Sequence, residues 1–274
     1  MKVDGWMYYN HAAIPIVPPH EDPNTEVVLN GLVWKMDGNP ILARWTTDFD
    51  CGYETQWWYN IRKRPFLVEE LSRSSRKEIR SSLKNNIVEI IDPAEFRDDL
   101  YDCYKCSFDR YKNADNMVSL EDFNKWIDND IKRGTHYWAA FERENNILIG
   151  YMRIGKHDRY VEIETAKFNP NYLRLHQSTA LYASVLDYYL NQLSHIDYVS
   201  SGSRSINHLS NTEDYKEKHF GYEKAYCHLH VAYAPGIKPI IKLAGKISFI
   251  LDKLDRVLFI HHLNAIVKLD SYQS

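Results

Sequence analysis

Glycine is scarce in this chain, at 11 of 274 residues, about 4% where roughly 7% is usual. That scarcity excludes collagen-like and glycine-rich low-complexity chains. It also weakens any phosphate-binding loop built on clustered glycines. Four cysteines (Cys51, Cys103, Cys106 and Cys227) are too few for a disulfide framework in a chain this long. No run approaches the ~20 apolar residues of a membrane span. No apolar signal-like segment opens the sequence, whose first residues are broken by prolines, and no N-x-Ser/Thr acceptor occurs. Also missing are G-x-S-x-G, a Walker loop and H-E-x-x-H, so serine hydrolase, nucleoside triphosphatase and zincin readings have no foothold. Lys plus Arg (34) falls short of Asp plus Glu (37), so the global basic excess of a dedicated nucleic-acid binder is absent. These absences lead to the expectation of a cytoplasmic protein, able at most to touch the inner face of a membrane.

What is abundant is aromatic: 20 Tyr, 10 Phe and 7 Trp, ample for a sizeable core. Charge is uneven. From Gly236 onward six cations face three anions, so this tail is basic while the rest of the chain is acidic. The apolar and lysine-spaced stretch 239–269 suits an amphipathic helix, which could touch anionic lipid, its own domain or a second copy in a homodimer.

The pattern predicts three parts. Residues 1–85 form a lead segment, with a hairpin of Val27–Lys35 and Ile41–Thr46, a strand at Trp57–Ile61 and a helix over Leu67–Lys84. Spacings of three and four place Arg73, Arg76, Lys77, Arg80 and Lys84 on one side of that helix. Such a side is either a solvated face or a polyanion contact. Residues 86–235 form the main domain: strand 86–91, helix 93–111, helix 119–132, strands 137–143, 147–154 and 160–168, helix 174–193, strand 196–200, helix 212–220 and strand 222–234. Residues 236–274 form the basic amphipathic C-terminal helix. Cys103 and Cys106 make a CxxC inside a helical pattern, without a second ligand pair, so they read as ordinary helix cysteines and no metal is expected.

The element order β-α-α-β-β-β-α-β-α-β resembles the GNAT acyltransferase fold, and three stretches are similar to its FemAB-like branch. They are Pro65-Phe66 through Arg76, Arg80 and Leu83-Lys84-Asn85; Gly202-Ser203-Arg204-Ser205-Ile206-Asn207-His208; and Asp214-Tyr215-Lys216-Glu217-Lys218-His219-Phe220-Gly221-Tyr222. The resemblance implies an α/β (α+β) fold, a mixed, largely antiparallel twisted sheet flanked by helices. It implies transfer of an acyl group from a thioester, or of an aminoacyl group from charged tRNA, to an amine. In such enzymes an Arg/Gln-x-x-Gly-x-Gly/Ala turn holds the CoA pyrophosphate at a helix N-terminus. The matching segment here is Arg174-Leu175-His176-Gln177-Ser178-Thr179-Ala180. Arg174, Gln177, Ser178 and Thr179 are thus the expected cofactor contacts, although Gln177 and Thr179 replace glycines and would crowd a phosphate. The leaving-thiolate acid of the family falls at Glu217, two residues after Tyr215, and Tyr215 is the expected substitute.

Aminolysis of a thioester needs a base for the amine proton. Glu162 and Glu164 alternate along a strand, so both carboxylates share one face roughly 7 Å apart, with Val161, Ile163 and Thr165 on the other. Close carboxylates raise one another's pKa if partly buried, though the same pattern suits a solvated sheet face. His208 is the second candidate base; Arg204, with Asn207 beside it, is the expected substrate contact. Three readings follow. The first is an N-acyltransferase using acyl-CoA or an acyl-carrier protein and a small-molecule amine. The second is an aminoacyl-tRNA-dependent transferase, against which the acidic body counts. The third is a non-catalytic binding module.

Overall fold

The computed structural model describes residues 1–108, 117–206, 212–246 and 258–273. The chain divides into two compact units: Met1–Tyr59 with Ser203–Ser210 and Lys224–Ser274, and Asn60–Gly202 with Asn211–Glu223. Boundaries expected at 85/86 and 235/236 do not coincide with this division. The basic helix goes with the second unit because Ile79 is part of its core, and the last strand from Lys224 on goes with the first.

In the first unit β1 (Trp6–Tyr9) and β2 (Ala12–Pro15) form a hairpin that the sequence pattern did not announce. Its turn residues Asn10 and His11 both take positive φ, a conformation usually signalled by glycine. β2 runs parallel to β3 (Leu42–Thr47), and β3 pairs antiparallel with β10 (Glu223–Tyr233) over six residues. The expected strand at Val27–Lys35 is instead a short helix α1 (Glu26–Leu29) and a 3₁₀ turn Leu32–Lys35. Side-chain oxygens of Asn24 and Asn30 accept the N–H groups of Glu26 and Leu32, and Gly31 takes φ 74°, so local turns win over β propensity. The expected single C-terminal helix is described as two, α7 (Ile237–Lys246) and α8 (Leu258–Ser271). Leu269 and Ile266 of α8 pack with Leu42, Cys227 and Leu229, and Tyr233 donates to Asp270 at 2.7 Å. That side of α8 is therefore committed to its own unit.

The second unit carries the antiparallel meander β5 (Asn86–Ile91), β6 (His136–Glu142), β7 (Leu148–Lys156) and β8 (Tyr160–Phe168), followed by β9 (Tyr198–Ser203) parallel to β8. Strand β4 (Trp57–Lys63) is split by the division after Tyr59. Alternation on β6 shows why both faces are covered. Trp138 and Ala140 enter one core with Ile79 of α2 (Arg73–Asn85), Leu181 of α5 (Gln177–Asp187) and Phe220 of α6 (Thr212–Phe220). Tyr137, Ala139 and Phe141 enter the other with α3 (Arg97–Phe108) and α4 (Leu120–Arg133). Helix ends follow the sequence. Ser119 accepts the Asp122 N–H at 3.1 Å, Gly134 closes α4 at φ 69°, and Arg143 bonds the carbonyls of Leu83, Lys84 and Asn86 at the end of α2. The expected helix 174–193 is broken into a 3₁₀ turn Pro170–Leu175, α5 after His176 in the left-handed region, and a π turn Tyr188–Gln192. The stretch 93–111 is helical from Arg97, and its last three residues lie outside the described ones.

Candidate functional site

Strands β8 and β9 are paired only at Tyr160–Tyr198, Val161–Val199 and Glu162–Ser200. Beyond Glu162 the two parallel strands part, leaving backbone groups on facing edges without their ladder partners. A second irregularity lies beside this opening. Arg153 opposes Thr165 and Ile154 opposes Ile163, so Glu164 is the extra residue of a bulge. The bulge resets the alternation. Val161 and Ile163 face the α5 core as expected, but Thr165 does not join them: its hydroxyl lies 3.4 Å from Arg153, on the α4 side with Glu164.

Glu164 is not an available base. Its carboxylate accepts from Arg133 and, at 3.2 Å, from Arg153. Arg153 in turn grips Asp130 with two bonds of 2.7 Å, and Tyr137 donates to the same carboxylate at 2.6 Å. Asp130 is almost fully buried, a position tolerated because bidentate guanidinium bonds and a phenol satisfy its oxygens. Two guanidinium groups thus match two of three neighbouring carboxylates. Glu162 is the third, and no hydrogen bond or ion pair engages it among the described residues. Burial, and then the charge of Glu164, raise its pKa above the usual value of 4.5, while Arg133 opposes the rise. A partly buried carboxylate with a raised pKa, at the point where two parallel strands separate, has the properties of a general base.

A polar chain lies on the other face. Thr179 donates to Glu78 at 2.6 Å and so receives its bond from Tyr215, 2.7 Å away, because a threonine hydroxyl has one proton to give. His176 and His219 flank Glu78 with Nδ1 atoms at 3.4 and 3.7 Å. Burial keeps the Tyr215 phenol protonated by raising its pKa. Next to it Lys216 is buried, donates to Ser201 at 2.6 Å, and is lowered by desolvation to about 8. Helix α5 is tied to the end of β8 by Gln177, and α6 to β9 by Lys216. The Tyr215–Thr179 bond therefore links the helices that flank the parted strands.

The expected cofactor contacts separate. Gln177 is fully buried with Nε2 on the Asn169 carbonyl, so its side chain serves the core rather than an anion. Thr179 is equally buried in the Glu78–Tyr215 chain. Ser178 is half-buried and hydrogen-bonds Tyr215, while Arg174 is exposed. The expected crowding of a phosphate by Gln177 and Thr179 does not arise, because both side chains turn inward. The Glu78 carboxylate of α2, 2.6 Å from the Thr179 hydroxyl, brings negative charge to the first turn of α5.

Arg204 is not in an open substrate cleft. In the first unit its guanidinium stacks 3.9 Å from the Tyr272 ring centroid and 4.5 Å from that of Trp58, and donates to the Gln56 carbonyl. Asn207 and His208 lie outside the described residues. Asp130, Arg133, Arg153, Glu78 and Lys216 were missed in the sequence. One signal was present: Asp130 continues the buried Phe123–Ile127 stripe of α4, and Arg153 interrupts an apolar strand. A charge on an apolar stripe requires a partner.

No family model matches the sequence, and no curated protein does. Solved structures share its fold, as the resemblance to the FemAB-like branch led one to expect. FemX superposes with a TM-score of 0.58 at 8% identity, over 85% of this chain and 82% of FemX. A C-terminal domain (DUF2156) ascribed to a lysylphosphatidylglycerol synthetase of Agrobacterium fabrum gives 0.53 at 12%, over 84% of this chain and 80% of that one. L-PGS of Bacillus licheniformis gives 0.50 at 12%, with the same coverage. At these identities the likeness is one of fold.

Proposed function

We propose that the chain is an N-acyltransferase that moves an acyl group from a thioester to the amine of a small molecule, such as a sugar, an amino acid or a cell-envelope precursor. The observation that carries this reading is the Glu162 carboxylate, unmatched and raised in pKa, where β8 and β9 part. Glu162 takes the proton of the attacking amine. The amine nitrogen bonds the acyl carbon as the carbon–sulfur bond breaks, and the leaving sulfur takes a proton from the Tyr215 phenol, which must first release the Thr179 hydroxyl. Thr179 and Glu78 orient that phenol. Glu78 at the start of α5 disfavours a CoA pyrophosphate, which favours an acyl-carrier protein as donor over free acyl-CoA. The test is thiol release from a panel of acyl-carrier and acyl-CoA donors with mixed amine acceptors. Glu162→Gln is expected to lower turnover by about 10²–10⁴-fold. Full activity in Glu162→Gln would remove the assignment.

A second reading, transfer from aminoacyl-tRNA, is favoured by the face of α2. Arg73, Lys77, Arg80 and Lys84 are exposed there and pair with no carboxylate among the described residues.

A further inference from the structure

A positive charge stands on an apolar strand face in the first unit. Leu42, Arg44 and Thr46 alternate along β3, and the ladder sets Val231 and Leu229 of β10 opposite Arg44 and Thr46. Leu42, Thr46 and Leu229 are buried, and Arg44 is half-buried among them. Its guanidinium makes no ion pair and no hydrogen bond among the described residues. The groups that act on its charge are two phenols, Tyr59 and Tyr9, and no carboxylate; burial lowers its pKa. A guanidinium stays protonated in a folded protein, so one withdrawn from water without a carboxylate lacks its counter-ion.

Arg44 lines a pocket of about 120 Å³ built wholly from the first unit. One wall is the segment 15–23, whose Pro15, Pro18, Pro19 and Pro23 have fixed φ and no N–H to offer. Trp57 and Leu229, both at most 2% exposed, add apolar lining. Its hydroxyls are those of Thr46 and Tyr59, 3.3 Å apart, and of Ser203, which bonds no protein group among the described residues. The one carboxylate on the lining, Glu21, is 59% exposed, lies 4.0 Å from His20 and makes no ion pair with Arg44. A guanidinium fork without a competing acid calls for a ligand that accepts hydrogen bonds and carries one negative charge. A carboxylate fits: it is planar, accepts from both arms of the fork and neutralises one cation. A phosphate dianion would leave its second charge desolvated among prolines and Trp57. The volume is well under the roughly 300 Å³ at which sites for whole cofactors begin, so the occupant is a small acid or the end of a chain. We propose that this pocket binds a monocarboxylate with a short apolar tail, the carboxylate on the Arg44 fork and the tail among the prolines and Trp57. The site belongs to the first unit and does not rest on the acyltransferase reading.

Saturation-transfer NMR titrations of the full chain at constant chloride test the site. Propionate is expected to bind, with its neutral isostere propionamide and inorganic phosphate each at least about tenfold weaker. N-acetyl-dialanine ends in the same carboxylate. If it binds more tightly than propionate the pocket takes a chain terminus, and otherwise a free acid; either order supports the site. Arg44→Met should abolish binding, and Arg44→Lys should weaken it at least about tenfold, since an ammonium lacks the planar fork. Without ligand, Arg44→Met should melt at a higher temperature than the parent, because it removes an unmatched charge from an apolar face. Saturating propionate should raise the melting temperature of the parent and not of that variant. Equal affinity for propionate and propionamide, tighter binding of phosphate than of propionate, binding of neither acid, or propionate affinity unchanged in both Arg44 variants would each overturn the proposal. So would a lower melting temperature of ligand-free Arg44→Met, which would show that the guanidinium already has a partner in the fold.

Discussion

At the residue scale Glu162 and Lys216 are two groups beside the parted strands whose ionisation is set chiefly by burial. Each makes a pH prediction with a definite sign. In the role proposed for it Glu162 is a base only when ionised, and its folded pKa is raised, so kcat/KM should fall as pH drops through that raised value and Glu162→Gln should abolish this limb. For stability, the folded state binds the Glu162 proton more tightly than the unfolded one. The contribution is therefore full below about 4.5 and is lost as pH rises through the raised folded value. The melting temperature of Glu162→Gln relative to the parent should accordingly increase over that window. Lys216 behaves oppositely. Its folded pKa is lowered from 10.5 to about 8, so below about 8 both states are charged and the folded state bears the burial cost; stability recovers as pH rises from about 8 to 10.5. Lys216→Met should be more stable than the parent at pH 7, by an amount on the order of 3 kcal/mol, and the difference should shrink toward pH 10. A difference that does not vary with pH would show that Lys216 is charged in the folded protein throughout.

At the level of elements, the bulge in β8 and the helix α4 form one device. Glu164 is aimed at Arg133 and Arg153 because the bulge adds a residue, and Gly155 across the ladder leaves space for it. A Cβ on Gly155 would come within 2.7 Å of the Glu164 Oε1. Because two guanidinium groups pin that carboxylate, Gly155→Ala should displace it from them. Activity is expected to fall at least about tenfold while far-UV circular dichroism is unchanged. Asp130→Leu leaves the Arg153 charge buried without its main partner and should destabilise by about 3–5 kcal/mol. Adding Arg153→Met should restore much of that loss in a denaturant titration; if the double variant is no better than the single, the pair is not coupled. The α2 helix shows how far a helical wheel reaches. Its five cations do lie to one side, but Arg76 turns to the Glu69 carbonyl, which leaves four for a partner.

For the whole molecule, the acidic balance of the chain and the basic face of α2 pull in opposite directions on a nucleic-acid partner. Exchanging Arg73, Lys77, Arg80 and Lys84 for Ala together separates the two donor readings. If the donor is charged tRNA, binding should weaken steeply with salt, and the fourfold variant should lower both the affinity and the slope of log K against log salt. If the donor is a thioester, turnover with that donor should be unchanged in the variant and a tRNA shift absent in the parent. The division into two units bears on the same question. Arg204, which the sequence set beside the catalytic groups, is held by Trp58, Tyr272 and Gln56 of the first unit. Arg204→Ala is therefore expected to lower stability rather than to change acceptor specificity.

The sequence by itself determined the order of elements from Asn86 to Tyr233, because strong alternation, caps such as Ser119 and stops such as Gly134 are local signals that packing reinforces. It also placed Glu162 on its strand and Tyr215 on the short helix before the last strand. It could not place the bulge at Glu164, since an extra residue in one strand shows only against its partner, and so it assigned Thr165 to the wrong face. Nor could it show that Gln177 and Thr179 turn inward, or that Glu78, about a hundred residues earlier, supplies the negative charge at the start of α5. Which carboxylate remains unmatched is a question of how Asp130, Arg133 and Arg153 meet. Their pairing arises from a helix and a strand brought together by the core, and only the tertiary structure decides it.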